Sequence, residues 1–463
     1  MPNISNLLNI ASTALTTQQR AIDITGNNIA NVNTEGYSRQ RVNMEQNTPV
    51  RDHLGSMSTG VHAEQKIERF YDRFITMQLN NENENLGRWD AQKTALEKVE
   101  VLFDEVSGFG LGTAMADYWN SWQDVINNPS GHVERTSLLS AAQYMANTFN
   151  QLSENITKVQ EDIGTNVTNI VSDINQIADQ IAELNRKVTQ VEVNGHNAND
   201  YRDQRDLLVL NLSKLIDIDS FEDGDGNITI MVGGGKPLVE RTATWDLSTV
   251  NVGGVDQVYW NDSSGGSEDI TTRIASGELK GWIEARDVVI NDYQTRLDDL
   301  AATMIAEVNT LHSAGYGLDG VDGRDFFIGT GAADMAVNPA IEADVELIAA
   351  ASDPLALPGD NDTAMAIFNL QDTLTMAGGG STFDDFYISL VGDVGSDVRQ
   401  ADLNFDHQTT MMSHLSNYRE EVSGVSLDEE MVNLVKFQHA YTAAAKLITT
   451  TDEMMDTIIG MKR

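Results

Sequence analysis

Residues 151–193 read QLSENITKVQEDIGTNVTNIVSDINQIADQIAELNRKVTQVEV, and this stretch decides the fold class. Its apolar side chains recur at steps of three and four residues, which is the spacing of a helix with one buried stripe. The stripe consists of Leu152, Ile156, Val159, Ile163, Val167, Ile170, Ile174, Ile177, Ile181, Leu184, Val188 and Val191. We predict one helix over 134–193, about 85 Å long at 1.5 Å per residue. Asn194-Gly195 is typical of a helix C-cap and predicts the end of this helix.

The two ends of the chain carry the same kind of pattern. The N-terminal stripe predicts packing through Ile4, Leu8, Leu15 and Ile22. At the other end, Ser426-Leu427-Asp428-Glu429 is typical of a capping box. The packing positions predicted after it are Leu427, Met431, Leu434, Tyr441, Ile448, Met455 and Ile459. Because isolated helices with narrow apolar stripes are marginal in water, we expect the two terminal helices to pair with each other.

Between these ends the pattern changes twice. Short alternating runs and glycine turns over 218–274 predict a small β-rich outer domain. The segment 315–396 is rich in Gly, Asp and Ala and predicts loops with a strand at 383–391. The predicted fold is mainly α with an inserted β domain (α+β), with long coiled-coil-like helices and nested, stacked domains. The terminal domain would comprise 1–45 and 420–463, and the long-helix core 46–217 and 275–419.

Composition excludes several classes of function. The 463 residues include 70 Asp and Glu but only 30 Lys and Arg, a net charge of -40, which argues against nucleic acid or an anionic membrane as partner. There is no cysteine, so disulfides and thiolate chemistry are excluded. No apolar run reaches the length of a membrane span. The first residues lack the pattern of a cleavable signal peptide, so we expect any export to use another route.

Local motifs for catalysis or metal binding are incomplete. Residues 223–227 (DGDGN) match the start of a calcium loop, but Ile228 and Gly234 occupy positions that need Gly and Glu. Residues 233–236 (GGGK) are followed by Pro237 where a phosphate loop needs Ser or Thr. Turns between strands explain both segments better. Asp319, Asp322 and Asp325 could together hold a cation, although a solvated acidic loop is the favoured interpretation. We therefore predict no catalytic residue, no cofactor and no metal, and a protein that is not an enzyme.

One motif is specific. Residues 25–42 read TGNNIANVNTEGYSRQRV, directly after the N-terminal amphipathic stretch. Asn27, Asn28 and Asn31 can cap a helix end and bond neighbouring backbone, Gly36 can adopt a left-handed conformation, and Tyr37 can anchor the turn. This stretch resembles the N-terminal signature of the bacterial flagellar rod, hook and hook-associated proteins. Residues 423–430 (SGVSLDEE), 437–441 (FQHAY) and 446–455 resemble the C-terminal signature of the same family.

Internal segments are similar to those of the family members that join the hook to the filament. These segments are 203–207 (DQRDL), 277–281 (GELKG), 312–316 (HSAGY) and 325–327 (DFF). The resemblance implies an extracellular structural subunit, exported by the flagellar type III apparatus and self-assembling through its terminal helices, with Asn27, Asn28, Asn31, Gly36 and Tyr37 as its assembly motif. The implied partners are further copies in a ring at the hook tip, the hook protein, the next hook-associated junction protein and an export chaperone.

Three alternatives stay open on the sequence. The chain could be a hook or distal-rod protein of the same family, although the long helix over 134–193 argues against the hook protein. It could be a secreted enzyme on a flagellin-like frame, with 218–274 or 315–396 as its catalytic part. A cytoplasmic coiled-coil adaptor is the third alternative.

Overall fold

A computed structural model describes residues 3–46, 50–52, 55–57, 60–103, 108, 110–193 and 195–461. Its helices are α1 (Asn3–Ala30), α2 (Arg73–Glu100), α3 (Leu111–Asn127), α4 (His132–Glu192), α5 (Asn199–Leu215), α6 (Gly277–Glu284), α7 (Asn291–Ala314), α8 (Pro339–Ala343), α9 (Asp362–Phe368), α10 (Phe383–Ser423) and α11 (Leu427–Gly460). A π-helical segment, Ala285–Ile290, joins α6 to α7.

The strands are short and antiparallel. They are β1 (Gln40–Gln46), β2 (Val50–Asp52), β3 (Gly55–Met57), β4 (Val61–Arg69), β5 (Asp219–Glu222), β6 (Ile228–Val232), β7 (Lys236–Glu240), β8 (Ala243–Thr244), β9 (Leu247–Val252), β10 (Val255–Asn261), β11 (Ser267–Asp269), β12 (Phe327–Ile328) and β13 (Ala336–Val337). β1 pairs with β4, β2 with β3 and β12 with β13. The remaining strands form a four-stranded sheet, β5-β6-β7-β8, and a three-stranded sheet, β11-β10-β9.

The predicted fold class is confirmed: long helices dominate, a β region is inserted between α5 and α6, and α1 pairs with α11. Helix α4 runs unbroken for 61 residues, close to the predicted 134–193. Most of the predicted stripe is buried, and Ile156, Ile163 and Val167 are fully enclosed. The periodicity located this helix because its apolar face is continuous with the main core.

An aromatic cluster lies at one end of that core. Tyr118 and Trp122 of α3 pack against Phe326, with ring centroids 6.2 and 5.6 Å away. His312, at the end of α7, stacks edge-on against Phe326 and is 1% exposed. Its Nε2 accepts a hydrogen bond from the amide of Ala349 at 2.9 Å. Burial lowers the pKa of His312 to about 4, so the ring is neutral at physiological pH. His312, Phe326 and Phe327 of the 312–316 and 325–327 segments are therefore core residues.

The strand predicted at 383–391 is wrong, because these residues begin α10. The hydroxyl of Thr382 accepts a hydrogen bond from the amide of Asp385 at 3.1 Å and caps the helix. Phe383, Tyr387 and Leu390 are buried at helical spacing. The β-branched and aromatic residues of this short run suggested a strand, whereas their spacing fits a helix whose remaining turns lie downstream. Ahead of α10, residues 315–382 contain only short helices, short strands and loops.

The inserted strands pack along α4. The side-chain amide of Asn185 on α4 donates to the carbonyl oxygens of Ile228 and Arg241 at 2.9 and 2.7 Å. Asn175, three turns earlier, exchanges two bonds of 2.8 Å with the backbone of Leu247. Ile230 and Val258 are fully buried in the core that α4 shares. The sheets are therefore held to the long helix by matched backbone bonds as well as by apolar contact.

The glycines of the 277–281 segment permit close packing. Gly277 has φ +86°, and a Cβ there would lie 2.6 Å from the backbone of Ile216. A Cβ on Gly281 would lie 2.2 Å from the carbonyl oxygen of Arg88 and 2.8 Å from the Cβ of Ala91. Helix α6 thus contacts the backbone of α2 directly, which only glycine permits.

We expect Gly281→Ala to lower the free energy of unfolding by about 1–3 kcal/mol, because the added methyl meets a backbone oxygen that cannot rotate away. Urea unfolding followed by tryptophan fluorescence measures the change. Gly392→Ala is the matched control, since a Cβ at this exposed position on α10 meets nothing within 4 Å. It should be neutral or stabilising by up to about 1 kcal/mol. Equal effects of the two variants would contradict the close-packing argument.

Candidate functional site at the junction of the terminal helices

Helices α1 and α11 pair in an antiparallel sense. The end of α1 lies beside the start of α11, where the side-chain amide of Asn28 reaches the carboxylate of Glu430 at 3.1 Å. Apart from Ile24, the buried side chains of the pair are small or polar. The buried residues are Ala11, Thr17, Ala21, Ile24, Thr25 and Asn28 on α1, and Glu430, Ala444 and Thr451 on α11.

The structure places the predicted packing residues at the margin of this line. Ile4 lies on α1, and its side chain is outside the part that the structure describes. Leu15 and Ile22 are half-buried, and so are Leu434, Tyr441 and Ile448. The exposed members of the predicted set are Leu8, Leu427, Met431, Met455 and Ile459. Within one chain, the most buried positions of the two helices lie about one residue away from the predicted packing positions.

Asn28 is the centre of the junction. Its side-chain oxygen accepts from the amide of Gln40 at 3.0 Å and from the hydroxyl of Tyr37 at 2.9 Å. Its side-chain nitrogen donates to the carbonyl oxygen of Gln40 at 2.9 Å as well as to Glu430. One asparagine therefore ties the end of α1, the first residue of β1 and the start of α11 together. Since Asn28 is 1% exposed, loss of any partner would leave a polar group without water.

Glu430 and Arg39 form the ionic part of the junction. The Arg39 guanidinium donates to the Glu430 carboxylate through Nε at 2.8 Å and pairs with it through Nη2 at 2.7 Å. It also contacts Glu429 at 2.7 Å. The Glu430 side chain is 3% exposed, whereas that of Glu429 is 63% exposed. The amide of Arg39 donates to the carbonyl oxygen of Ser423 at 2.8 Å, which connects the residue before β1 to the last residue of α10.

Helix α5 connects this junction to the body. Asp203 accepts the amide of Ser38 at 3.0 Å through one oxygen and Arg69 at 2.8 Å through the other. Arg69, at the end of β4, also pairs with Asp206 at 2.8 Å. Burial raises the pKa of Asp203, while the Ser38 amide and the Arg69 guanidinium act in the opposite direction. The 203–207 segment thus anchors the residues that follow the asparagine motif.

The other motif residues shape the loop between α1 and β1. Gly36 has φ +78°, and a Cβ there would lie 3.2 Å from the Cβ of Leu207, so both conformation and space favour glycine. The side chain of Asn31 donates to the carbonyl oxygen of Asn27 at 3.0 Å and continues the end of α1. Burial, and then the charges of Asp200, Asp203 and Glu430, raise the pKa of Tyr37, so its hydroxyl stays protonated as a donor.

Sequence reasoning missed Glu430, Arg39 and Arg69 as members of this site. One signal was present: Glu430, Phe437, Ala444 and Thr451 follow one another at steps of seven residues, the repeat of a packed helix face. The two arginines carried no such signal, because their partners lie more than a hundred residues away in sequence.

The weaker motifs have structural explanations. Asp223 accepts the amides of Asp225 and Asn227 at 2.9 and 3.0 Å and closes the turn between β5 and β6. The glycines at 233–235 form the turn between β6 and β7 with positive φ. Asp319 pairs with Arg324 at 2.5 Å. Among the residues that the structure describes, no group of three or more His, Asp or Glu is placed to hold a metal ion. None of the described helices combines the length and the apolar character that crossing a membrane requires.

Although it is paired with α1, helix α11 keeps an apolar surface. Val432, Leu447 and Ile459 are 68%, 45% and 65% exposed. The other exposed apolar side chains on this helix are Leu427, Met431, Val435, Met454, Met455 and Ile458. They fall into two groups along the helix, 427–435 and 447–459, and so many exposed large apolar side chains on one helix are typical of a surface for contact with another protein. We call this set the α11 stripe.

Comparisons with known proteins agree with this architecture. The family model described as flagella basal body rod protein matches residues 8–37, and that described as flagellar basal body rod FlgEFG protein C-terminal matches 417–461. The model described as flagellar hook-associated protein FlgK helical domain matches 96–327. Paired terminal helices joined by the asparagine motif to a long-helix body therefore define a structural protein of the bacterial flagellum.

Similarity over whole chains identifies one family among the structural proteins of the flagellum. Flagellar hook-associated protein 1 of Bacillus subtilis is 31% identical, over 98% of this chain and 97% of that protein. The Escherichia coli protein of the same name is 26% identical, over 99% and 100%. The solved flagellar hook junction protein FlgK from Burkholderia pseudomallei shares the fold, with a TM-score of 0.67 at 15% identity, over 75% of this chain and 100% of that one. The chain belongs to the flagellar hook-associated protein 1 family.

Proposed function

We propose that this protein joins the hook to the filament as an assembled structural subunit, and that its terminal helices make the contacts between subunits. One observation carries the proposal: α11 remains lined with exposed apolar side chains after it has paired with α1. An isolated subunit would leave this surface in water. Burial of each large side chain against a neighbour would contribute about 1.5–3 kcal/mol.

The junction site supports the same function because it fixes the angle between the terminal helix pair and the body. Asn28, Arg39 and Glu430 connect the terminal pair to β1, and Asp203 connects β1 to the body. A subunit that transmits force along a filament needs a defined angle between the part that packs in the axis and the part outside it. The network of short, buried bonds supplies that definition, because each bond has a directional geometry.

The remaining parts of the proposal concern export and partners. The chain would leave the cell through the flagellar type III apparatus, with a chaperone covering the C-terminal helix until export. It would form a ring at the hook tip and contact the hook protein below and the next hook-associated junction protein above. The assembled form would be extracellular, with 1–45 and 420–463 innermost, the long-helix core around them and 218–274 outermost. No catalytic reaction is assigned to the chain.

A deletion strain tests the junction role. Cells without this protein should build hooks of normal length, lack filaments and release filament subunits into the medium. Immunoblots of the supernatant and electron microscopy of the cells measure both outcomes. Restoration by the full-length chain, with the protein found in sheared flagella, is the control. Normal filaments in the deletion strain would refute the proposal, and missing hooks would indicate a rod or hook role instead.

A further inference from the structure

The inserted β region leaves and rejoins the helical body at one turn of α2. The outgoing segment follows α5, and the amide of Ile218 in it donates to the carboxyl of Glu84 at 3.1 Å. The returning segment precedes α6, and the hydroxyl of Ser276 in it donates to the side-chain oxygen of Asn85 at 3.2 Å. The two segments also hold each other, since Asp217 accepts the amide of Ala275 at 3.0 Å. We call these six residues the root of the insert.

Packing at the root is close. A Cβ on Gly87, one turn after Glu84, would lie 2.0 Å from the carbonyl oxygen of Lys214. With Gly277 and Gly281 across the same contact, three glycines bring α2, the end of α5 and the start of α6 to backbone distance. A small displacement of the two crossing segments therefore affects all three helices.

Acidic groups face Glu84, and the nearby cations have other partners. Asp217 and Asp219 on the outgoing segment both act on its carboxyl electrostatically. Lys214 of α5 pairs with Asp90 at 3.0 Å and with Glu278 at 3.1 Å. Arg88 of α2 pairs with Glu284 of α6 at 2.7 Å. Among the described residues, no cationic side chain forms an ion pair with Glu84.

We propose that the root is a pH-sensitive clasp, closed while the Glu84 carboxyl is protonated and opening locally when that carboxyl ionises. The ionised carboxylate would be half-buried beside two other acidic side chains, which is unfavourable. Movement of the two crossing segments away from each other would let water solvate the charge and would lower its free energy. The sheets themselves remain packed on α4. What changes is the link between the insert, α5 and α6.

The sign of the pH dependence follows from the protonation states. Burial is the main cause that raises the pKa of Glu84 to about 8; the Ile218 amide opposes it, and the charges of Asp217 and Asp219 add to it. In the open, solvated state the carboxyl titrates near its ordinary value of about 4.3. Opening therefore releases a proton between these two pKa values. The open fraction should rise about tenfold for each pH unit between roughly 5.5 and 7.5 and level off above about 8.5.

Hydrogen exchange on the full-length protein tests the clasp. Protection factors are measured between pH 5.5 and 9.5 for peptides covering 214–219 and 273–278, each referenced to the unfolded peptide at the same pH. We expect the wild-type protein to lose protection about a hundredfold between pH 5.5 and 7.5, and the loss should level off above about pH 8.5. Glu84→Gln retains an acceptor for the Ile218 amide but cannot ionise, so its protection should depend on pH much less than that of the wild-type protein. The remaining dependence comes from Asp217, whose pKa burial also raises.

Glu100→Gln is the matched control, because Glu100 lies exposed on the same helix. It should reproduce the wild-type profile. A flat wild-type profile overturns the proposal, and so does a Glu84→Gln variant that keeps the wild-type slope. If Glu84→Gln does not fold, the wild-type and Glu100→Gln profiles decide alone. A loss of protection that rises from pH 5.5 and levels off above about pH 8.5 supports the clasp, and any other profile overturns it. This test does not depend on where the protein assembles.

Discussion

Deletion of residues 440–463 should abolish filament assembly while leaving the body of the protein folded. The main core extends from Ala91 to Ala401 and contains no residue of the deleted segment. The deletion instead removes the buried Ala444 and Thr451, which lie on the paired face, and most of the α11 stripe. We expect loss of swimming and of filaments, with near-wild-type urea unfolding of the body. Tryptophan fluorescence reports the body selectively, since all six tryptophans lie between 89 and 282.

Point variants separate the α11 stripe from the pairing face. Leu447→Glu and Ile459→Glu place charges on exposed apolar positions, and Thr450→Glu, at an exposed polar position, is the matched control. Because a buried charge in a subunit contact costs several kcal/mol, the first two variants should reduce swimming strongly and the control only slightly. Immunoblots of the supernatant show whether each variant is still exported. Normal filaments in a strain with only the truncated chain would contradict the proposed role of the terminal helices.

The long helices could be predicted from the sequence because their apolar spacing is a local property. The predicted helix over 134–193 differs from α4 (His132–Glu192) by two residues at its start and one at its end. The prediction of a strand at 383–391 was wrong for a related reason. Its nine residues fit either period, and the decisive information lay downstream, where Val394 and Ala401 continue the buried face of α10.

The pairing face was harder to predict than the helices that form it. Large apolar residues carried the sequence signal, whereas small or polar ones such as Ala21, Ala444 and Thr451 occupy the buried line within one chain. The large residues beside them are partly exposed, which leaves them available to neighbouring subunits. Whether Leu8, Met431 and Ile459 pack in the assembled flagellum remains a prediction.

The asparagine motif was found from the sequence, but its contacts were not. Asn28 and Glu430 are separated by 402 positions, and Ser38 and Asp203 by 165. No local pattern encodes such pairs, because each depends on how α1, α5 and α11 come together. Capping had been expected of the asparagines, and Asn31 does bond back to Asn27 at the end of α1. The wider role of Asn28 as a centre for three elements became visible only in the fold.

Glu430→Gln should weaken the terminal pair by about 2 kcal/mol, because a charged hydrogen-bonded group is removed from a buried position. Arg39 would then lose the carboxylate that it contacts through two nitrogens. Asn28 would face an amide whose orientation can satisfy either Arg39 or Asn28, but not both as well as a carboxylate does. The loss of stability should be confined to the end of α1 and the start of α11, and the stability of the body should not change.

Glu429→Gln is the matched control, since Glu429 contacts the same guanidinium from a position in solvent and should contribute under about 1 kcal/mol. Amide exchange over 20–30 and 427–437 measures the pairing, and tryptophan fluorescence measures the body. At about 2 kcal/mol, exchange in these segments should accelerate roughly thirtyfold in Glu430→Gln, and less than about fivefold in the control. Equal acceleration in both variants would mean that the burial of Glu430 adds nothing to the stability of the terminal pair. Its contact with Arg39 would then be worth no more than a solvent-exposed ion pair.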